Sequence, residues 1–495
     1  MVGKAGYGSG AGAVIHHSLL SIGGWASARF APCPPPALRA PPLPAQNALP
    51  PNRLQALRLC LIAFLASMLS NVAWAQSDWT ATQFNLELEP QFETSTIRAT
   101  LTLDFTVQQA ALKHLTLDAG SLQISAVELG SVVLRFEKVG SQLRITLPAS
   151  LKANTPQQLR VRYTGEGSGG LRFDKDTLQV ATAFSTSQWM PCLDDPSVRA
   201  PFHLTLLLPP DLVSVGNGTQ VAPQIRADDR VAHRWQLQQP MPSYLYGFVA
   251  GQLAQAQALA TTPSGTTKLE YFGPASLFTP AQLQQVFIDT PDMLAFFAER
   301  AGVAYPQPAY RQVLLMGPAA QEMAGFSVMG VRYGTRVLAE PSAVWLGAHE
   351  LAHQWWGNGL TNRSWRHFWL NEGIATFMTV AYLEHRFGPE EYLRQIDAAR
   401  IKYQAIRESG QDKSLVFPDW DKPTPGDRSL VYDKGALVMH ELRKLLGEDA
   451  FWKGLKHYTR THWGQSVETA DFKRAMQVSS GIDLSDFFRQ WIEAR

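Results

Sequence analysis

From Asp78 to about Gly251, apolar and polar residues alternate with a period of two. FNLELEPQF, TIRATLTLDFTV, QLRITLP, QQLRVRYTG and FHLTLLLP are rich in β-branched and large apolar residues, with Gly, Pro and Asn between them. That pattern belongs to half-buried strands, so residues 76–255 are expected to form an all-β N-terminal domain. A cluster of Thr, Ser, Gly and Pro at about 255–265 marks a boundary. From Pro280 onward the period becomes helical. AQLQQVFIDTPDMLAFFAERAG reads as helix, while RQVLLMG and GFSVMGVRYG read as two short strands. SAVWLGAHELAHQWWG, FWLNEGIATFMTVAYLEHRFG, DRSLVYDKGALVMHELRKLLG and three further stretches then read as helices to the end of the chain. Residues 256–495 are thus expected to form a mainly helical domain with a small sheet, giving a multidomain α+β protein. No internal repeat is visible.

Residues 1–75 follow neither period. They hold no Asp or Glu and include the Pro-rich run APCPPPALRAPPLPAQNALPP. Arg53 and Arg58 precede an apolar run from Leu59 to Leu69, and Ala73-Trp74-Ala75 follows as a small-residue cleavage pattern. This reads as an N-terminal extension plus a signal peptide cut near Ala75, with a true start downstream of Met1. An exported chain, periplasmic or secreted, is the expectation. Eleven apolar residues fall short of the roughly 20 that a membrane-spanning helix needs, so no stable membrane span is expected.

Without that segment, the 44 Lys and Arg lose five and the 42 Asp and Glu lose none, so 39 stand against 42 and the net charge is −3. Such a balance excludes nucleic acid and anionic lipid as obvious partners. Cys33 and Cys60 leave with the segment, and Cys192 remains alone as a small buried hydrophobe.

The chemistry concentrates in GAHELAHQWWGN, residues 347–358. On a helix, His349 and His353 share one face and can direct ring nitrogens at one ion, while Glu350 projects beside it as a base for the attacking water. Composition alone would produce such an HExxH on the order of once in a hundred chains of this kind, so a third ligand is needed. Glu372, separated from His353 by 18 residues and lying in WLNEGIATF, can return on a following helix. Two imidazoles and one carboxylate make the thermolysin-like catalytic set for one Zn²⁺, with a fourth position open. His367, His385, His440, His457 and His462 lack such spacing and read as structural.

HELAHQWWGN, the 18-residue gap and NEG resemble the gluzincin zinc aminopeptidases typified by aminopeptidase N and leukotriene-hydrolase-type enzymes. MPCLDDPSVRAPFHLTLLLP, VGNG and PSYLYGFVAG are similar to that family's N-terminal β domain, and DFFRQW to the end of its catalytic domain. The resemblance implies a thermolysin-like catalytic domain at 256–495 and hydrolysis of the N-terminal peptide bond of peptides with a free N-terminus. It further implies that Tyr432, in VYDKG, donates its hydroxyl to the oxyanion. Glu322, in AAQEMAGF, stands where the family's G-x-M-E-N motif binds the substrate α-amino group, although Ala319, Gln321 and Met323 replace the usual Gly, Met and Asn. Gln188 is the nearest candidate for a further substrate contact from the β domain. The chain also stops about where that catalytic domain ends, implying an open cleft or one closed by a second subunit. Two rivals stand beside this reading: a metallopeptidase of altered specificity, cutting internally or at blocked N-termini, and a non-catalytic zinc-holding peptide-binding protein.

Overall fold

The computed structural model describes residues 78–108, 112–182, 185–317, 320–417 and 423–493. The expected signal segment lies outside them. Gln76–Arg495 forms one compact unit, with a β-rich N-terminal half followed by a mainly helical half.

An eight-stranded sheet dominates the first half, in the order Thr219–Ile225, Val231–Pro242, Arg199–Leu208, Trp79–Gln91, Thr96–Val107, Pro156–Glu166, Gln123–Leu129, Val132–Val133. Trp79–Gln91 and Arg199–Leu208 pair in parallel, with Phe84 opposite Phe202 and Leu88 opposite Leu206. The alternation read from the sequence is the alternation of burial: Phe84, Leu86 and Leu88 are buried, as are Ile97, Leu101, Leu103 and Phe105 on the next strand. These residues share one core with Leu115, Leu117, Leu143 and Ile145 of a three-stranded sheet, as in a sandwich. Cys192 is a fully buried free thiol in that core.

The turn-rich stretch near 255–265 is the tip of a hairpin. Leu253–Thr262 and Gly265–Pro274 pair in antiparallel fashion and continue into a five-stranded sheet through Ala309–Leu315, Phe326–Gly330 and the short edge strand Ala320–Gln321. Gly, Ser and Thr signal hairpin tips as readily as linkers. Ala309–Leu315 is buried at all seven positions, as expected of a strand covered on both faces.

The expectations for this half need adjustment in several places. The stretch from Ala281 to Gly302 is two helices, Pro280–Val286 and Thr290–Ala301, because Pro291 can open a helix but not continue one. GFSVMGVRYG is a strand only to Gly330, after which Val331–Ala339 is helical. The helix bearing the metal motif is shorter than its apolar run and spans only Trp345–Ala352. Finally, Pro389–Glu408, a 20-residue helix, buries only Tyr392, Ile396 and Ala399, too thin a stripe for periodicity to reveal. Trp369–Phe387 is the opposite case: every residue from Trp369 to Leu383 is buried, which makes it the central helix. No helix among the described residues is long and apolar enough to cross a membrane.

Candidate active site

His349 and Glu350 lie on Trp345–Ala352, and His353 caps that helix. Their spacing brings the two imidazole Nε2 atoms to 3.1 Å. The central helix presents Glu372 in its first turn, with Oε2 3.3 Å from each Nε2. All three side chains are buried. A carbonyl can only accept, so His353 Nδ1–H donates to Trp356 O at 3.0 Å and leaves the Nε2 lone pair facing the cluster. The His349 ring is held between Trp345 and Tyr432, with ring centroids at 4.8 and 5.6 Å.

Whether these residues suit a metal can be judged from their spacing. A tetrahedral ion with bonds of about 2.0 Å sets its ligand atoms about 3.3 Å apart. The observed triangle has edges of 3.1, 3.3 and 3.3 Å. Glu372 Oε2 is buried without a hydrogen-bond donor, and no other group of His, Cys and acidic side chains among the described residues has metal-ligand spacing. Two imidazoles and a carboxylate therefore fit Zn²⁺.

Tyr432 reaches the cluster through a change in helical pitch. DRSLVYDKGALVMHELRKLLG is expected as one helix, but Leu430–Lys434 is a π-turn between the short helix Pro425–Ser429 and Gly435–Leu446. Close backbone contact brings that turn to Glu372. A Cβ on Gly373 would lie 2.9 Å from Gly435 Cα, and one on Gly435 would lie 2.7 Å from Gly373 Cα, so only paired glycines allow the approach. Burial, then Glu372, Glu322 and Glu350, push the Tyr432 phenol well above its usual range, so the hydroxyl stays protonated.

Glu322 follows the edge strand Ala320–Gln321 and is buried. Together with Glu350, Tyr432 and the His349–His353–Glu372 triangle, it lines a cavity of about 730 Å³. The six residues singled out from the sequence thus meet in one place. Gln188 does not join them: its Oε1 accepts from Ser121 N and Oγ at 3.3 and 3.1 Å, away from the cavity. Tyr244, not anticipated from the sequence, also lines the cavity; its hydroxyl donates to Gly357 O and accepts from Asn371 Nδ2.

A family model for the peptidase M1 N-terminal domain matches residues 80–245, and one for the peptidase family M1 domain matches residues 287–491. The chain belongs to peptidase family M1. Aminopeptidase 2, mitochondrial, of Saccharomyces cerevisiae is 24% identical over 82% of this chain and 45% of its own length. Aminopeptidase N of Bos taurus is 27% identical over 76% of the chain and 41% of its own. The M1 chain therefore spans about half the length of these curated relatives. An M1 zinc metallopeptidase from Deinococcus radiodurans shares the fold, with a TM-score of 0.70 at 22% identity, over 84% of this chain and 95% of that one. A structure of that enzyme carries a Tyr-Ser-Ala substrate, with a TM-score of 0.69 at 22% identity over 85% and 95% of the two chains.

In this M1 site three carboxylates crowd two imidazoles. Burial works against protonated His353, yet Glu372, Glu322 and Glu350 push its pKa up to about 10. Burial lowers that of His349, and His353 adds to the effect. Burial raises Glu350, with Glu322 and Glu372 adding to it. The same burial opposes ionisation of Glu372, but His353 and His349 overcome it and hold the carboxyl well below its usual range. Glu372 and His353 therefore favour their charged forms, while Glu350 favours its neutral one.

Proposed function

We propose that this chain is a zinc-dependent aminopeptidase, hydrolysing the first peptide bond of peptides with a free α-amino group. The observation that carries the reading is the placement of a third buried carboxylate, Glu322, in the same cavity as the metal triangle and Glu350. Imidazoles that ligate a metal are neutral, and with both of them so engaged three ionised carboxylates carry −3. A divalent ion and one substrate ammonium balance it, and a buried carboxylate without such a partner would be costly. The names of the relatives and the peptide bound to the Deinococcus enzyme are consistent with a peptide substrate.

Zinc held by His349, His353 and Glu372 would supply a Lewis acid that polarises a carbonyl and acidifies water. The protein's own groups would do the rest. Glu322 pairs with the α-ammonium and sets which carbonyl lies at the centre. Glu350 takes the proton from the attacking water as oxygen bonds to that carbonyl carbon. Tyr432 donates its hydroxyl to the resulting oxyanion. Glu350 then delivers the proton to the amine as the C–N bond breaks, which leaves a free amino acid and a peptide shortened by one residue.

The test compares a chromogenic aminoacyl anilide with its N-acetylated form. Cleavage that depends on the free amine supports the proposal; equal cleavage of both sinks it. Export is proposed on the strength of Arg53, Arg58, Leu59–Leu69 and Ala73–Ala75 alone. N-terminal sequencing of the mature protein should begin at Gln76.

A further inference from the structure

Just beyond the metal helix, the stretch QWWGN supplies two buried amides that do not line the cavity. Gln354 Nε2 donates to Met323 O at 3.0 Å, and its Oε1 accepts from Gly325 N–H at 3.0 Å. Asn358 Nδ2 donates to Glu322 O at 2.9 Å and Met323 O at 3.3 Å. From the β-rich half, Asn217 Nδ2 donates to Ala324 O at 2.8 Å, while its Oδ1 accepts from Gly247 N–H at 2.7 Å. All three amides are at most 4% exposed.

These bonds fall where the sheet ladder stops. The edge strand ends at Gln321 and pairing resumes at Phe326, with Gly325 at φ +84 turning the chain between them. Within Glu322–Gly325, Gly325 O accepts from Arg311 N–H at 3.2 Å and Ala324 N–H donates to Leu245 O at 3.0 Å, and the remaining buried backbone groups must find partners elsewhere. Three carbonyls and one N–H of this segment end on side-chain amides. Gln354 is covalently next to the metal-site residue His353, so its two-pronged amide ties the Glu322 segment directly to the metal helix.

Resting on the aminopeptidase reading above, we propose that Gln354 is a positioning residue that holds Glu322 at a set remove from the metal triangle, so that the first peptide bond, and no other, reaches the reacting centre. Asn358 and Asn217 brace the same segment from its two sides. Met323 in place of the usual Asn then matters little to register, because the backbone there is held from outside the segment.

Gln354→Met keeps the side-chain length and removes both bonds. The variant is expected to bind one zinc per chain and to melt cooperatively. For the free aminoacyl anilide, KM should rise more than kcat falls, and kcat/KM should drop about 10- to 100-fold, as a small misplacement does. For the N-acetylated anilide, kcat/KM should stay the same, so the preference for a free amine shrinks. Asn217→Ser, in the β-rich half and outside the cavity lining, should give the same split in milder form. A folded, zinc-loaded variant with unchanged preference, or with equal loss on both substrates, overturns the proposal. In the zinc-loaded parent, the Gly325 amide should be protected from hydrogen exchange; exchange at the rate of an exposed amide overturns the proposal without any variant. Failure of the aminopeptidase reading is distinguishable, because it appears in the parent enzyme as equal cleavage of free and acetylated substrates, and it removes the positioning role with it.

Discussion

Glu350 owes its proposed chemistry to what it lacks. Its Oε2 is buried without a hydrogen-bond donor, and burial, with Glu322 and Glu372, pushes its pKa well above the usual carboxylate range, which favours a group that takes and returns a proton. Glu350→Gln should keep one zinc per chain by metal analysis and lose about 10²- to 10⁴-fold or more in kcat; an active variant would remove Glu350 from the reaction and favour a non-catalytic zinc protein. Tyr432→Phe should lose about 10²- to 10³-fold in kcat with little change in KM, the usual consequence of deleting one oxyanion donor. At this scale the two histidines were legible because four residues along a helix is a geometric statement in itself. Tyr244, Gln354 and Asn358 were not, since an amide or phenol that binds the backbone carries no spacing of its own. Their only signal was their closeness in the chain to the chemical motifs.

Among elements, the decisive contact is between the central helix and the start of Gly435–Leu446. Gly373 and Gly435 leave no room for a methyl group on either backbone. Gly435→Ala should cost about 1–3 kcal/mol through overpacking, seen as a lower Tm. It should also lower kcat while zinc stays bound, because the π-turn would move Tyr432 away from Glu372. A variant with wild-type kcat would show that the turn is placed by other contacts. One of these is Lys434, whose Nζ is buried and donates to Asp412 Oδ1 and Lys413 O, both at 2.9 Å. The sequence announced helix here correctly but not the π-turn, because one extra residue in a turn disturbs apolar spacing less than ordinary variation does. The metal helix misled in the opposite sense, since Trp355 and Trp356 continue its apolar run beyond its last turn and are buried there by the core.

Across the whole molecule, a half-buried and a buried arginine join the two halves. Arg199, at the start of a strand of the eight-stranded sheet, donates to Asn358 O at 3.2 Å in the loop after the metal helix. Arg311, in the small sheet, donates to Gly218 O at 2.9 Å and sits 2.8 Å from Glu270 Oε2. Arg311→Met would leave Glu270 with only Lys268, 2.8 Å from its Oε1, and should cost about 1–3 kcal/mol by chemical denaturation; no measurable loss would show that Lys268 and solvent replace the arginine. Chelation should abolish activity and lower Tm, since an ion at 100 times its Kd adds about 2.7 kcal/mol to the folded state. One equivalent of zinc should restore both. Sequence by itself determined the period-two half, the period-3.6 half and the metal pair, because these depend on neighbours within a few residues. It also singled out Glu372, Tyr432 and Glu322, through short motifs far apart in the chain. Tertiary structure alone decided that these motifs meet in one cavity, that Gln188 stays outside it, and that amides from both halves hold the Glu322 segment. Those outcomes depend on close packing and on backbone groups that must find partners, and neither leaves a period in the chain.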